Sequence, residues 1–225
     1  SHLFGTDWVG RDMLTRTIKG LSLSMKIGLL ATLTSTIIAI ILGIIGPTFG
    51  RRVDAVVTWF IDLVLSVPHT LVVILISIAM GGGLKGIVVG VAATHWTSLT
   101  RVIRAEVMQI MESDYTKISK NFGKSNWYIA KEHILPHVIP QIIVNAVLIF
   151  PHAILHEASV TFLGFGLPPH EPAIGVILSE SMKYLTSGYW WLAFFPGLSL
   201  ILASMMVDKI GKNIEQLINP KTAYK

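Results

Sequence analysis

The sequence predicts an all-α membrane protein with five transmembrane helices, and three observations support this prediction. Hydrophobic residues make up 52% of the 225 residues and charged residues only 14%, well below the roughly 25% charged residues of a soluble domain. Several apolar runs approach or exceed the about 20 residues that a membrane helix needs. The net charge of +5 comes from basic residues concentrated in alternate loops. This composition excludes an ordinary soluble domain and a disordered chain, and it holds too few charges to coat a nucleic acid.

Five apolar segments are the candidate membrane helices. The first carries no charge and is followed by Gly46-Pro47 and a basic pair, whereas the second contains Asp62, Pro68 and His69. The third is short and is expected to continue as a helix toward Arg104. The five segments cover residues 27–45, 55–80, 84–99, 139–165 and 189–207.

The positive charges predict the orientation of these segments. With five spans, one group of loops holds twelve Lys and Arg residues and the alternate loops hold two, Lys85 and Lys183. Because loops rich in Lys and Arg stay in the cytoplasm, the first group is predicted to be cytoplasmic. That group consists of Arg51, Arg52, Arg101, Arg104, Lys117, Lys120, Lys124, Lys131, Lys209, Lys212, Lys221 and Lys225.

The whole chain, residues 1–225, is therefore predicted to be a single transmembrane domain with three polar segments. Residues 1–26 carry four basic residues on the outer side and are interpreted as a folded external or interfacial segment. Residues 101–138 form a cytoplasmic loop with apolar residues at helical spacing. Residues 164–188 form an external loop that is rich in Gly and Pro.

Ionisable residues inside the apolar segments are the candidates for a polar path. A charge in lipid costs several kcal/mol, so such groups face a cavity, a protein interior or a partner. His152 and His156 are four residues apart and so lie on one helix face. Asp62 is expected to pair with an arginine or to cap a partner helix. The path candidates are His156, Glu157, His152, His95 and His69; the alternative for each is a hydrogen bond between helices, and no metal site is firmly assigned.

Two segments resemble motifs of nucleotide binding or catalysis, but each lacks a required residue at the required spacing. Gly123-Lys124-Ser125 resembles the end of a phosphate-binding loop, but Ile118 stands where the first glycine is needed. His156-Glu157 begins a zinc-protease pattern whose second histidine is replaced by Val160. The chain contains no cysteine, which excludes disulfides and thiolate metal sites. The sequence therefore predicts a protein without catalytic activity and without a bound cofactor.

Three segments carry a resemblance to a known family. Residues 4–12, FGTDWVGRD, resemble the LGTDxxGRD element of the dipeptide/oligopeptide/nickel permeases of ABC importers. Residues 157–166, EASVTFLGFG, resemble the EAxLSFLGLG segment of the same family. Residues 115–136 resemble the cytoplasmic loop of ABC importer permeases, with Gly123 and Ile134-Leu135-Pro136 at the expected spacing. Lys117 stands where that loop usually has an acidic residue.

The resemblance implies the type I permease fold of ABC importers, with five transmembrane helices in this chain and a cytoplasmic coupling helix. Family members have one more helix before the GTD element, so a further N-terminal helix is expected to precede this chain. The coupling helix would dock on an ATPase, and ATP-driven closure would tilt the spans between two states. The implied docking residues are Asp114, Tyr115, Lys117, Ile118, Ser119, Phe122, Gly123 and Lys124.

The resemblance also implies partners and a location. These are a second homologous permease, two ATPase subunits that bind ATP and Mg²⁺, an extracytoplasmic solute-binding protein and the lipid bilayer of the inner (cytoplasmic) membrane. The cargo is expected to be nickel, a metal chelate or a short peptide. The pairs His95-Trp96 and Leu155-His156 resemble the nickel-type branch, which is favoured, and imidazole suits nickel. The alternatives are an importer of peptides only and, in another class, an ion channel or secondary transporter.

Overall fold

The computed structural model describes residues 2–218, so Lys221 and Lys225 of the cytoplasmic positive group lie outside the described residues. Within this range the chain is helical apart from connections and an isolated bridge between Thr6 and Asp12. The α-helices are α1 (Met13–Phe49), α2 (Arg51–Leu65), α3 (His69–Ala79), α4 (Gly83–Glu112), α5 (Asp114–Asn121), α6 (Asn126–Ile129), α7 (Leu135–Phe162), α8 (Ile174–Met182) and α9 (Trp191–Ile218). A π-helical turn, Ala130–Ile134, joins α6 to α7, and a 3₁₀ turn, Leu185–Ser187, follows α8.

Helices α1, α4 and α7 form the centre of the bundle. Helix α1 packs along α4 and α7, α3 packs on α4, and α9 packs on α7 and α8. One core joins α1, α2 and α4 to residues 129–142, and two others lie around α3 and α8. Large apolar side chains on the outer faces of α2, α3 and α9 are exposed, as expected where a helix faces lipid or a partner subunit.

The predicted second span, residues 55–80, is broken into two helices that meet at an angle of 92°. The break lies at Pro68, which lacks a backbone N–H and disfavours the helical conformation of the residue before it. On the α2 side of the break, Asp62 accepts a hydrogen bond of 3.0 Å from Arg101, which confirms that Asp62 pairs with an arginine.

The structure does not confirm five transmembrane helices. Among the described residues, α1, the continuous helical segment Asn126–Phe162 and α9 are long and apolar enough to span a membrane. The bent pair of α2 and α3 adds a fourth only if the two helices together form one span. Helix α4 does not qualify because polar side chains, including His95 and Thr94, Thr97 and Thr100, interrupt its apolar sequence.

Helices α3 and α4 approach closely along two glycines of α4. A Cβ atom on Gly86 would lie 2.9 Å from the carbonyl oxygen of Ser77, and one on Gly90 would lie 2.9 Å from that of Val73. Glycines four residues apart let two helix backbones pack together. This contact brings the first residue of α3, His69, toward the middle of α4.

The π-helical turn ends at Ile134, two residues before Pro136. A proline within a helix cannot donate to the carbonyl four residues earlier and its ring crowds that carbonyl. A wider turn over Ala130–Ile134 relieves this crowding, and the helix then continues without a break to Phe162. The polar segment after α5 is thereby connected to a span-length helix in one continuous piece.

Candidate functional site

Three of the predicted path histidines lie together in the bundle. His69 begins α3, His95 lies in the middle of α4 and His156 lies in α7. Their ring centroids are 4.6 Å apart for His69 and His95, 4.5 Å for His69 and His156, and 5.2 Å for His95 and His156. His95 is buried, and the other two rings are half-buried. We call these three side chains the imidazole cluster.

The other two path candidates lie outside this cluster. His152 is exposed, one helical turn before His156. Glu157 is fully buried, and its Oε1 accepts a hydrogen bond of 3.0 Å from Thr161, whereas its Oε2 has no partner among the described residues. The structure therefore places His152 on the surface of the isolated chain and Glu157 within the interior of the subunit.

The segment predicted to be the coupling helix forms α5 and the turn after it. Its apolar side chains are exposed, at 46% for Tyr115, 53% for Ile118 and 81% for Phe122. Gly123 has a φ of +76°, a conformation that glycine adopts without steric cost at a helix C-terminus. We call Tyr115, Ile118, Phe122 and Gly123 the coupling surface.

Side-chain contacts connect α5 to the long helical segment that ends in α7. His133, in the π-helical turn, lies 3.1 Å through its Nε2 from the hydroxyl of Ser119. Its ring also contacts Tyr115 and Tyr128, with centroids 5.7 and 5.8 Å away. These contacts join α5 to the segment that leads into α7. Of the other predicted docking residues, Lys117 pairs with Glu112, Lys124 lies over Tyr128, and Asp114 begins α5.

The first motif folds into a charged network made of Asp7, Arg11, Arg16 and Glu180. The buried Asp7 carboxylate accepts hydrogen bonds from the backbone N–H groups of Val9 and Arg11 and from the side chains of Arg11 and Arg16. Arg16 also donates to Glu180 of α8 at 2.7 Å. Burial acts to raise the pKa of Asp7, but the hydrogen bonds and positive charge of Arg11 outweigh it and hold that pKa below its ordinary value.

Comparison with known proteins decides the family. Residues 35–220 match the family described as the binding-protein-dependent transport system inner membrane component. The chain belongs to this family of permeases. It is 34% identical over 220 residues to the dipeptide transport system permease protein DppC of Bacillus subtilis (strain 168), covering 98% of this chain and 69% of that protein. It is 33% identical to the DppC of Alkalihalophilus pseudofirmus, covering 98% of this chain and 72% of that protein.

Solved structures share the fold of this permease. An inward-facing structure of the MetNI methionine ABC transporter matches with a TM-score of 0.74 at 14% identity, covering 92% of this chain and 98% of that one. An amino acid ABC transporter crystallised with histidines matches with a TM-score of 0.68 at 16% identity, covering 90% and 94%. The fold is therefore that of ABC importer permeases, as the sequence resemblance predicted.

Membership of the family implies the setting in which the permease works. It is a multi-pass membrane protein, and the family description places it in the inner membrane. A permease component of this kind is not catalytic itself, and it works with a partner ATPase and a substrate-binding protein.

Sequence reasoning missed several residues that position the site. Thr94 contacts His69, and Gly86 and Gly90 allow α3 to approach α4. The spacing of these two glycines was a signal that could have been found, because it is typical of close helix pairs in membranes. Motif similarity identified residues 4–12, but nothing in that pattern indicated that Arg16 would link Asp7 to Glu180.

Proposed function

We propose that this permease forms half of the translocation path of an ATP-driven importer of short peptides. A second, homologous permease forms the other half, two ATPase subunits bind ATP and Mg²⁺, and a solute-binding protein outside the membrane delivers the cargo. The observation that carries the proposal is the match to dipeptide permeases over 98% of the chain.

Short peptides are the preferred cargo because the relatives compared above are named for dipeptide transport. The preference for nickel drawn from residues 95–96 and 155–156 has no support among these relatives. A metal chelate remains a second candidate for one reason, which is the imidazole cluster on α3, α4 and α7. Imidazole is a good ligand for nickel, copper and zinc.

The coupling surface is proposed to dock on an ATPase subunit. Ile118 on the short helix α5 and Phe122 directly after it expose large apolar side chains, whereas the other residues of α5 are mostly polar. Exposing such a face to water is unfavourable, and covering it with a partner lowers the free energy of the complex. The contact of Ser119 with His133 would pass the movement of the ATPase into α7.

Transport would follow from two arrangements of the spans. When the ATPases close on ATP, α5 moves with them, and the path opens to the outside; after hydrolysis it opens to the cytoplasm. A ligand drives such a switch only by the difference in its affinity for the two states. Peptide would enter from the binding protein in the first state and leave in the second.

Co-purification and uptake test this proposal together. The permease, expressed with its partner permease and ATPases, is expected to purify as a stable complex and to accumulate a labelled dipeptide in cells. An excess of unlabelled dipeptide should suppress the accumulation, whereas an excess of nickel should not. If labelled nickel accumulates and dipeptide does not compete, the metal-chelate candidate replaces the peptide.

A further inference from the structure

We propose that His69, His95 and His156 bind one divalent transition-metal ion of the Zn²⁺, Ni²⁺ and Cu²⁺ class inside the helix bundle. One ligand nitrogen from each ring lies within 4.8 Å of the others. The three side chains come from three different helices, so only the folded bundle brings them together. The proposal concerns an ion held by this chain and does not depend on which cargo the importer carries.

The hydrogen bond of His95 leaves its outer nitrogen free for a metal. Its Nδ1 lies 3.0 Å from the carbonyl oxygen of Val91, one turn earlier in α4. A carbonyl oxygen only accepts hydrogen bonds, so Nδ1 carries the hydrogen and Nε2 carries the lone pair. This is the usual arrangement of metal-binding histidines, in which the nitrogen that does not bind metal donates to a carbonyl or carboxylate.

His69 is oriented in the same way by Thr94. Its Nε2 lies 3.0 Å from the Thr94 hydroxyl oxygen, which also lies 3.1 and 3.0 Å from the carbonyl oxygens of Gly90 and Val91. In the tautomer with a hydrogen on Nε2, the Thr94 hydroxyl donates its single hydrogen to one of these carbonyls and its oxygen accepts from His69 Nε2–H. The Nδ1 lone pair of His69 is then the free ligand.

His156 contributes the third imidazole. It packs against both other rings, and no hydrogen bond joins one ring to another among residues 2–218. A hydrogen bond between helices therefore accounts for His69, which contacts Thr94 of α4, but not for His156 or for the packing of the three rings. The three half-buried or buried imidazoles thus offer nitrogen ligands for a metal ion.

The spacing fits a metal after a small adjustment of the side chains. Metal–nitrogen bonds of 2.0–2.1 Å place the ligands of a tetrahedral site about 3.4 Å apart. One nitrogen from each ring lies within 4.8 Å of the others, and three such nitrogens reach this separation if each moves by about 1 Å. Neutral nitrogen donors favour borderline metals over Ca²⁺ or Mg²⁺. The group contains no carboxylate, so water or a donor atom of a bound molecule takes the fourth position.

Metal analysis of the complete complex tests the proposal. The purified complex is stripped with a chelator and titrated separately with Zn²⁺, Ni²⁺ and Co²⁺, and bound metal is measured after gel filtration. The expected result is one ion per copy of this permease, lost in the triple variant His69→Ala, His95→Ala, His156→Ala. Bound Co²⁺ should show the intense visible absorption of a low-symmetry site, which the triple variant lacks.

Single variants separate a metal site from a structural cluster. His69→Ala and His156→Ala should each lower affinity about 100-fold, and Thr94→Val, which removes only the orienting oxygen, about 10-fold. His170→Ala, on the exposed external loop, is the matched control and should leave affinity unchanged. The amount of assembled complex is measured for each variant, and the half-buried His156 gives a test even if His95→Ala fails to assemble.

The proposal is overturned if the assembled wild-type complex binds no more metal than the triple variant. It is also overturned if assembled His156→Ala binds metal as tightly as wild type. Dipeptide uptake is measured on the same preparations, and a complex that transports dipeptide without binding metal would remove the metal site and leave the proposed function intact.

Discussion

Asp7 is the residue that ties the N-terminal segment to the bundle. Its carboxylate collects four hydrogen bonds, and through Arg16 it is connected to Glu180 of α8. Aromatic contacts reinforce this connection, since Trp8 stacks on Tyr184 with centroids 4.2 Å apart. Residues 2–12 therefore form a folded part of the permease, closely packed on the segment between α8 and α9.

Replacing Asp7 by asparagine is expected to loosen this segment selectively. The guanidinium of Arg16, whose side chain is only 14% exposed, loses a charged partner, which costs about 1–3 kcal/mol. Hydrogen exchange of residues 2–12 should accelerate accordingly. Glu112→Gln is the control, since it breaks the exposed ion pair with Lys117. It should leave the hydrogen exchange of residues 2–12 unchanged, because exposed ion pairs contribute little to stability. Equal protection in Asp7→Asn and wild type at pH 7 would contradict the role assigned to Asp7.

The Asp7 carboxylate also predicts that the stability of the folded protein depends on pH. The pKa of Asp7 lies below its ordinary value of 3.8 in the folded protein, so the folded state favours the ionised form. Its stabilisation is fully present above pH 3.8 and is lost as the pH falls through the lower, folded-state pKa.

His156 is the residue that distinguishes a path from a structural contact. If it lines the path, His156→Ala should lower uptake per assembled complex while assembly and basal ATPase activity stay nearly intact. The half-buried ring lacks a hydrogen-bond partner among the described residues, so its removal leaves no buried group unpaired. Normal uptake per complex, with less complex made, would show a structural role and would extend the same interpretation to Glu157.

The sequence alone identifies the histidines as candidates but does not predict that they lie next to one another. An imidazole within an apolar segment is costly in lipid, so His69, His95 and His156 were candidates on that ground. Their convergence depends on the close approach of α3 to α4 and on α7 packing against both, which are long-range contacts. The sequence equally could not distinguish Glu157, which is buried within the subunit, from a residue that faces a path.

At the scale of elements, α5 is the element that we propose docks on the ATPase. Gly123 ends this element with a φ of +76°, and a Cβ atom there would meet no atom within 4 Å. A larger residue at Gly123 is therefore disfavoured by the backbone conformation and by the space that a docked partner would need, and not by a clash within the chain. A non-glycine side chain in this conformation costs roughly 1–2 kcal/mol, and Asn tolerates it best.

Gly123→Leu is therefore expected to uncouple transport. The leucine strains the turn and adds bulk to the coupling surface, so transport and stimulation of the ATPase should fall while the permease still inserts. Gly123→Asn is the matched control for backbone conformation and should retain more of both activities. Normal transport by Gly123→Leu would contradict the docking assignment.

The helices show where sequence patterns were sufficient and where they were not. Charge-free runs predicted the long apolar helices α1 and α9, and the apolar spacing of residues 110–129 predicted that this segment is helical. The break at Pro68 had a local signal, but its angle of 92° is set by packing. Helix α4 contains threonines whose hydroxyls donate to carbonyls of their own helix. The sequence of α4 therefore looks more polar than expected for a helix at the centre of the bundle.

At the scale of the whole molecule, the loop charges predict the orientation. Lys120 on α5 is expected in the cytoplasm and Lys183 after α8 is expected outside. Because the chain has no cysteine, Lys120→Cys and Lys183→Cys each create a single labelling site. An impermeant thiol reagent should label Lys183→Cys in intact cells and Lys120→Cys only after lysis. The reverse pattern would invert the topology.

The central claim is that this chain is a permease whose transport is driven by ATP on partner subunits. The most direct test is reconstitution of the complex in proteoliposomes with ATP trapped on the side of α5 and binding protein with labelled dipeptide on the other side. Dipeptide is expected to accumulate only when ATP, the ATPases and the binding protein are all present. Accumulation by this chain alone, or at the same rate without ATP, would contradict the claim and indicate a channel or secondary transporter.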